Sequence, residues 1–298
     1  MFLPPTFTKT RLAPTPSGFL HLGNILSFAL TAGLANQQKA NILLRIDDLD
    51  QGRVRKEYVE DIFECLSFLE IPWHQGPRNF EEYEHAWSQV HRRHLYNEAL
   101  DFLRDQNLVF ACNCSRSQLA HLPAHIGYPG TCLQKKLALD LPGVNWRLNT
   151  TAATDLWVNT CKGQPELFSL PPSMQFFVVR KKDGLPAYQL SSVIDDSYFG
   201  IDLVVRGVDL WPSTLAQIFL STLLPGNRFA DSAFYHHLLL KENNGEKFSK
   251  SDGAISVRYH RLKGASAASV FTSIGARLGC SGHQENWQQL FHDCKTLW

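Results

Sequence analysis

The segment from residue 8 to residue 46 sets the tightest limit on what this chain can fold into. Residues 8–13 form a short strand-like run. Pro14-Thr-Pro-Ser-Gly18 then has to turn, because two prolines and a glycine bar regular structure there. Residues 21–38 place Leu22, Leu26, Leu30 and Leu34 on one stripe of a helix. Residues 41–46 (NILLRI) are an apolar run of the kind that forms a buried parallel strand. Strand, helix and buried strand in that order predict an α/β fold built on a parallel sheet.

The alternation breaks once. Residues 56–69 and 86–104 read as helices. Between about 110 and 186, cysteines, prolines and short β-like runs (146–148, 156–158, 176–179) replace them. This predicts an insertion with its own small β-rich fold. From residue 187 the α/β pattern resumes, with strands at 201–206 and 234–240, a helix at 213–224, a polar loop at 241–253 and terminal helices at 265–278 and 284–297. The expected division is a Rossmann-like first half at 1–107, the insertion at 108–186, a second half at 187–245, and a loop with C-terminal helices at 246–298.

With 298 residues, 44 % of them hydrophobic, and a formal charge of +1, the chain has apolar content for a real core and is not disordered. The totals carry none of the basic excess that marks many nucleic-acid binders, which leaves only a local stripe open. No run approaches the ~20 apolar residues of a membrane span. The longest candidate, 25–35, is broken by Ser27, Thr31 and Gly33. The first residues lack the basic and apolar regions of a secretory signal. A soluble cytoplasmic protein is expected. Seven cysteines, an odd and scattered set, do not form a secreted disulfide framework. Cys65, Cys161, Cys280 and Cys294 have no partner pattern and read as ordinary thiols.

Three motifs carry chemistry. The first is Arg11-Leu-Ala-Pro-Thr-Pro-Ser-Gly-Phe-Leu-His-Leu-Gly-Asn24, a strand and turn leading into a helix with His21 and Gly23 in its first turn. Helix N-termini favour anions, and Gly23 allows close approach to the backbone. Alone, this is also an ordinary strand–turn–helix connection with a surface histidine. The second is Lys247-Phe-Ser-Lys-Ser251, whose lysines could clamp a polyphosphate as its charge redistributes, or could simply be solvated. The third is Cys112-x-Cys114, with Tyr128 and Cys132 following. Thiolates favour zinc, and structural sites close at four ligands. His121 and His125 are the chemically ordinary alternatives for the fourth.

In that order, the first two motifs resemble the HIGH and KMSKS signatures of the class I aminoacyl-tRNA synthetases. The segment from Arg11 to Gly23, Leu44-Arg-Ile-Asp-Asp-Leu-Asp50, Ala187-Tyr-Gln-Leu, Val193-Ile-Asp-Asp196 and Val205-Arg-Gly-Val-Asp209 are similar to the glutamyl branch. Only 48 residues follow Lys250, fewer than the ~50 of small domains. No anticodon-binding domain is therefore expected. In this the chain resembles the truncated glutamyl-Q tRNA(Asp) synthetases, which attach glutamate to the queuosine base in the anticodon of tRNA-Asp.

The resemblance implies an enzyme that makes an aminoacyl adenylate, with ATP accompanied by magnesium, one structural zinc, and glutamate and queuosine-bearing tRNA-Asp as substrates. A monomer is expected. It implies His21, Lys247 and Lys250 as catalytic residues on the phosphates, with Gly23 and Asn24 completing the ATP site. It implies Arg11, Leu12, Ala13, Pro14, Thr15, Asp47, Tyr188 and Arg206 around glutamate, with the Arg11 guanidinium matching the γ-carboxylate. It also implies Tyr128 as fourth zinc ligand beside Cys112, Cys114 and Cys132. The chain departs from the glutamyl pattern at Asp47, where the family has Glu to hold the substrate ammonium and glutaminyl enzymes have Asp. Two other readings follow: a paralogue with another amino acid or RNA acceptor, or a silent RNA- or partner-binding module.

Overall fold

A computed structural model describes residues 6–120, 123, 126–161, 163–240 and 256–294. The strands in chain order are β1 (Lys9–Leu12), β2 (Asn41–Leu44), β3 (Val109–Cys112), β4 (Asn145–Leu148), β5 (Leu156–Thr160), β6 (Glu166–Phe168), β7 (Val178–Arg180), β8 (Leu203–Gly207) and β9 (Ala233–His237). The helices are α1 (Leu22–Gln38), α2 (Lys56–Phe68), α3 (Phe80–Glu82), α4 (Arg93–Asp105), α5 (Arg116–Leu119), α6 (Tyr188–Tyr198), α7 (Trp211–Leu223), α8 (Val257–Leu262), α9 (Ala267–Leu278) and α10 (Trp287–Asp293). No helix among the described residues is long and apolar enough to cross a membrane. The chain divides into two compact units.

One unit comprises Thr6–His91, Leu203–Asp209 and the described part of Tyr235–Trp298. Here β1 pairs in parallel with β2, from Lys9↔Asn41 to Leu12↔Leu44, and with β8 at Thr10↔Leu203. These strands are parallel because α1 forms the crossover between β1 and β2 and covers the sheet, as continuous apolar runs require. Ile25, Leu26, Ala29 and Leu30 of α1 are fully buried. The helix ends at Lys39, whose left-handed backbone turns its N–H back to the Ala35 and Asn36 carbonyls. The C-terminal helices belong to this same core. A Cβ on Gly33 of α1 would stand 2.2 Å from Cγ of Phe291 in α10, so the absent side chain lets that ring lie on the helix backbone. The Trp287 indole N–H donates to the Glu70 carbonyl at 2.9 Å. Cys280 and Cys294 are not ordinary thiols, because a disulfide joins them. Sequence spacing gave no sign of it, since the chain between them folds back to bring the two together.

The other unit comprises Arg92–Asp202 and Leu210–Phe234. Its antiparallel sheet has the order β3-β4-β7. β5 and β6 form an antiparallel pair, and β5 also runs parallel to the start of β9 through Asn159↔Ala233 and Thr160↔Phe234. The strand expected to begin at residue 176 begins at Val178, because Phe176 has a φ of 50°, outside the extended region. A buried ion pair ties the residue before α4 to α6. Arg92 donates from Nε to Asp195 Oδ1 at 2.8 Å and from Nη2 to Oδ2 at 3.1 Å, and the Tyr96 hydroxyl adds a third bond to the same carboxylate at 2.7 Å.

The helix expected over 86–104 begins only at Arg93. Before it lie a π-helical turn, Tyr83–Trp87, and a 3₁₀ turn, Gln89–Arg92. Ser88 and Gln89 donate to a buried aspartate instead of extending a helix. Such side-chain bonding competes with regular structure.

Candidate functional site

His21 is the N-cap of α1. The Gly23 N–H donates to its Nδ1 at 3.1 Å, and the His21 N–H donates to Asn24 Oδ1 at 3.1 Å, a reciprocal cap. With Nδ1 accepting, the neutral imidazole carries its proton on Nε2, a donor suited to a phosphoryl oxygen. Gly23 suits this arrangement: a Cβ there would stand 3.0 Å from the ring's Cε1, a tight contact that would press on the imidazole. The first turn holds no acidic residue, so nothing opposes an anion at this helix end. Lys247, Lys250 and Ser251 lie outside the described residues. The residues flanking that segment meet α1. His237 Nε2 lies 2.6 Å from Ser27 Oγ, and Ser256 forms a backbone bridge with His21.

The strand ends supply the cations. Arg11 is the penultimate residue of β1, Arg206 of β8 and His236 of β9. Because Thr10 pairs with Leu203, the two-residue period sends the Arg11 and Arg206 side chains to the same face. Both are buried, and Arg11 Nη1 donates to the Val205 carbonyl at 3.3 Å. Burial, with the positive charge of Arg206, His237 and Arg11, pushes the His236 imidazole down to about 3, so it is neutral at physiological pH. The carboxyl ends of parallel strands are where open α/β sheets bind ligands.

Asp47 is held close to this edge by backbone bonds from Asp47 N to the Pro14 carbonyl and from Arg45 N to the Leu12 carbonyl, each 2.9 Å. Thr15, Ser17 and Asp47 share the wall of one small cavity. The Asp47 carboxylate is gripped bidentately by Arg45, Nε to Oδ1 at 2.7 Å and Nη2 to Oδ2 at 3.0 Å. Leu12 is buried in the sheet beneath, with Ala13 and Pro14 following it. Tyr188, the remaining pocket residue expected from the sequence, is the first residue of α6 in the other unit and is 44 % exposed.

Sequence reasoning missed Asp48. It is buried and accepts from the Tyr83 hydroxyl (2.7 Å), Ser88 Oγ (2.5 Å), the Gln89 N–H (2.8 Å) and Gln51 Nε2 (3.0 Å). The signal in the sequence was an acid directly beside Asp47, but three of its four donors stand 35 to 41 residues away. His236 was missed as well, since only the strand order shows its neighbours.

In the other unit, Cys112, Cys114 and Cys132 bring their sulfurs within 4.8 Å of one another. Cys114 and Cys132 Sγ are 3.5 Å apart, and the Tyr128 oxygen lies 3.4 Å from Cys112 Sγ and 3.7 Å from Cys114 Sγ. A Zn–S bond of ~2.3 Å gives a tetrahedron with edges of about 3.8 Å, so these four donors fit one tetrahedral ion. Burial raises the Cys132 thiol, but hydrogen bonds from Tyr128, Asn113 and the other two cysteines outweigh it and bring it down to about 7. His121 and His125, the ordinary alternatives, lie outside the described residues.

Residues 8–127 and 149–293 match the family model of the tRNA synthetases class I (E and Q), catalytic domain. The chain is 32 % identical over 290 residues to glutamate–tRNA ligase 2 of Nitrosococcus oceani, covering 92 % of this chain and 60 % of that protein. It is also 32 % identical over 286 residues to glutamyl-Q tRNA(Asp) synthetase of Nitratidesulfovibrio vulgaris, covering 88 % of this chain and 83 % of that protein. The crystal structure of glutamate–tRNA synthetase from Elizabethkingia anophelis superposes with a TM-score of 0.70 at 20 % identity, over 96 % of this chain and 65 % of that one, a likeness of fold. The chain thus spans less than two thirds of the ligase and of that solved chain, and most of the glutamyl-Q relative. By its family match and by these relatives, the chain belongs to the class I tRNA synthetases of the E and Q group and carries their catalytic domain.

Proposed function

We propose that this chain activates glutamate with ATP and transfers it to the queuosine base in the anticodon of tRNA-Asp, acting as a monomer in the cytoplasm. The observation that carries the activation half is the juxtaposition of Arg11 and Arg206 on one face of the strand ends, with Asp47 tied to the same edge. A pair of guanidinium groups receives the γ-carboxylate, and a carboxylate receives the ammonium. The acceptor rests on the relatives: glutamyl-Q tRNA(Asp) synthetases, among them that of Nitratidesulfovibrio vulgaris at 32 % identity over 286 residues, are similar to nearly the whole of this chain.

In this reading ATP lays its phosphates at the N-terminus of α1, against Gly23 and Asn24, with His21 Nε2–H donating to a phosphoryl oxygen. Lys250, assisted by Lys247, supplies positive charge as the α-phosphorus becomes more crowded. An oxygen of the glutamate α-carboxylate forms a bond to the α-phosphorus, and the bond to the β-phosphate bridging oxygen breaks and releases pyrophosphate. Such phosphoryl transfer is promoted mostly by positioning and charge stabilisation. The protein's part is to hold the glutamate so that its α-carboxylate, the end not gripped by Arg11 and Arg206, meets the phosphorus. The segment Leu12–Thr15 would line the amino acid; Tyr188 is assigned to it by the family resemblance alone. Magnesium accompanies the nucleotide. Zinc, held by Cys112, Cys114, Tyr128 and Cys132, would brace the 108–186 segment and take no part in the chemistry.

One observation favours a second reading, a changed amino acid. Asp47 is one methylene shorter than the family glutamate, and Arg45 draws both its oxygens toward itself. ATP–pyrophosphate exchange without RNA, run with glutamate, glutamine and aspartate separately, tests both readings. Exchange with glutamate alone is expected. Exchange with another amino acid instead means Asp47 has redirected the pocket. No exchange with any refutes RNA-independent activation. Lys250→Ala should abolish the exchange, whereas a silent binding module would keep its RNA affinity.

A further inference from the structure

The face of the β3–β4 pair that carries the cysteine cluster also carries a buried cation. The register sets Phe110 opposite Arg147 and Cys112 opposite Asn145, so these four side chains share one face. From there the Arg147 guanidinium lies over the Tyr128 ring, 3.8 Å from its centroid. Arg147 is only 7 % exposed. Its Nη1 donates to the Phe176 carbonyl at 2.8 Å, and its Nε has no hydrogen-bond partner among the described residues. Burying a guanidinium with so few partners is costly unless a negative charge is close by.

A four-ligand site would provide one. Three thiolates and a phenolate around a divalent ion sum to a net charge of −2, within a cluster where Cys112, Cys132 and Tyr128 are all buried. A cation over a neutral ring gains little, but over an anionic ring it gains direct charge attraction as well. The oxygen is prepared from its other side too: the Cys132 backbone N–H donates to it at 2.8 Å. We propose that Arg147 is the counter-charge of this metal site: held over the Tyr128 ring by the Phe176 carbonyl, it offsets the surplus negative charge and makes tyrosine a workable fourth ligand. The inference rests on the reading of Cys112, Cys114, Tyr128 and Cys132 as zinc ligands. It makes Arg147 a positioning and charge-balancing residue that touches no substrate.

The test uses the full chain and zinc itself. Zinc affinity is measured by competition with a chromophoric chelator, and the visible spectrum of the cobalt(II) form reports the ligand set. Outer-shell partners of metal ligands typically change affinity by about 10–100-fold. Arg147→Met is expected to weaken zinc by about that factor, and Arg147→Lys by less, since it keeps a charge but not the planar group. In a Tyr128→Phe background the same Arg147→Met change should cost at most a few-fold, because there is no phenolate left to balance. Should Arg147→Met fail to fold by circular dichroism, Arg147→Gln carries the test, keeping a donor for the Phe176 carbonyl without the charge. Unchanged zinc affinity in the uncharged variant, or an equal loss in both backgrounds, overturns the proposal while leaving Tyr128 a ligand. If Tyr128→Phe alone changes neither zinc affinity nor the cobalt spectrum, the ligand reading fails and the proposal goes with it.

Discussion

Replacing Tyr83 by phenylalanine removes one oxygen from the Asp48 cluster and little else. The lost bond is 2.7 Å long, buried, and made to a carboxylate. Hydrogen bonds to charged groups contribute about 1.5–3 kcal/mol. Ser88, Gln89 and Gln51 still donate to Asp48 after the change, so a loss of about 1.5–2 kcal/mol is expected, at the low end of that range. Burial and the neighbouring Asp48 push the Tyr83 phenol far above its ordinary range. The hydroxyl therefore stays protonated, and the loss should be the same throughout neutral pH. The assay is urea denaturation, read as a lower midpoint at constant slope. Asp48→Ala is the less informative variant, because it strands two hydroxyls and an N–H in the interior at about 1–3 kcal/mol each. That sum rivals the entire stability of a domain, about 5–15 kcal/mol. In glutamate-dependent pyrophosphate exchange, Tyr83→Phe should raise the glutamate KM more than it lowers kcat, because Asp48 fixes the backbone beside Asp47. A stability change within about 0.5 kcal/mol, the range of an ordinary surface substitution, would refute the reasoning.

Asp47→Asn keeps the shape and removes the charge proposed to receive the substrate ammonium. The glutamate KM should rise about tenfold or more, equivalent to about 1.4 kcal/mol, with the ATP KM unchanged; an unaltered glutamate KM in the exchange assay would count against the assignment. His236 has a folded-state pKa depressed to about 3 from the ordinary 6.5, so its contribution to stability is complete above about 6.5 and is lost as pH falls toward the lower value. His236→Gln, which takes up no proton, should therefore flatten the decline in melting temperature on acidification below pH ~6.5, and an identical acid profile in the two proteins would argue against a buried neutral imidazole. Gly33→Ala should destabilise by about 1–3 kcal/mol in the same urea assay, because the added methyl drives into the Phe291 ring and the better helix propensity cannot compensate; equal or greater stability would mean that α10 moves aside at no cost.

What could be read in the sequence was what local rules govern. The strand, turn and helix through His21, the buried run at 41–46, of which 41–44 forms β2, and the cysteine cluster depend on period, capping and ligand chemistry, and the structure has each of them. Partners made by long-range pairing were not legible. Three donors to Asp48, namely Tyr83, Ser88 and Gln89, come from a π-helical turn and the residues just after it, which a helix-period pattern cannot reveal, and their bonds are the reason the helix expected from residue 86 starts at Arg93. Arg147 reads as one charged residue in an alternating strand until the register with Phe110 and Cys112 is known. Cys280 and Cys294 meet only because α9 and α10 fold onto the same core.

The cap at the start of α1 bears on how a histidine substitution there should be interpreted. One imidazole closes the helix through its Nδ1 and, in the proposed function, offers its Nε2–H to a phosphoryl oxygen. An inactive His21→Ala enzyme could thus owe part of its defect to a frayed first turn, since losing an N-cap costs about 0.5–2 kcal/mol. Asparagine is among the strongest N-cap residues, and its shorter side chain does not reach the position of the imidazole Nε2. The gap between His21→Ala and His21→Asn therefore measures scaffolding, and the gap between His21→Asn and wild type measures chemistry.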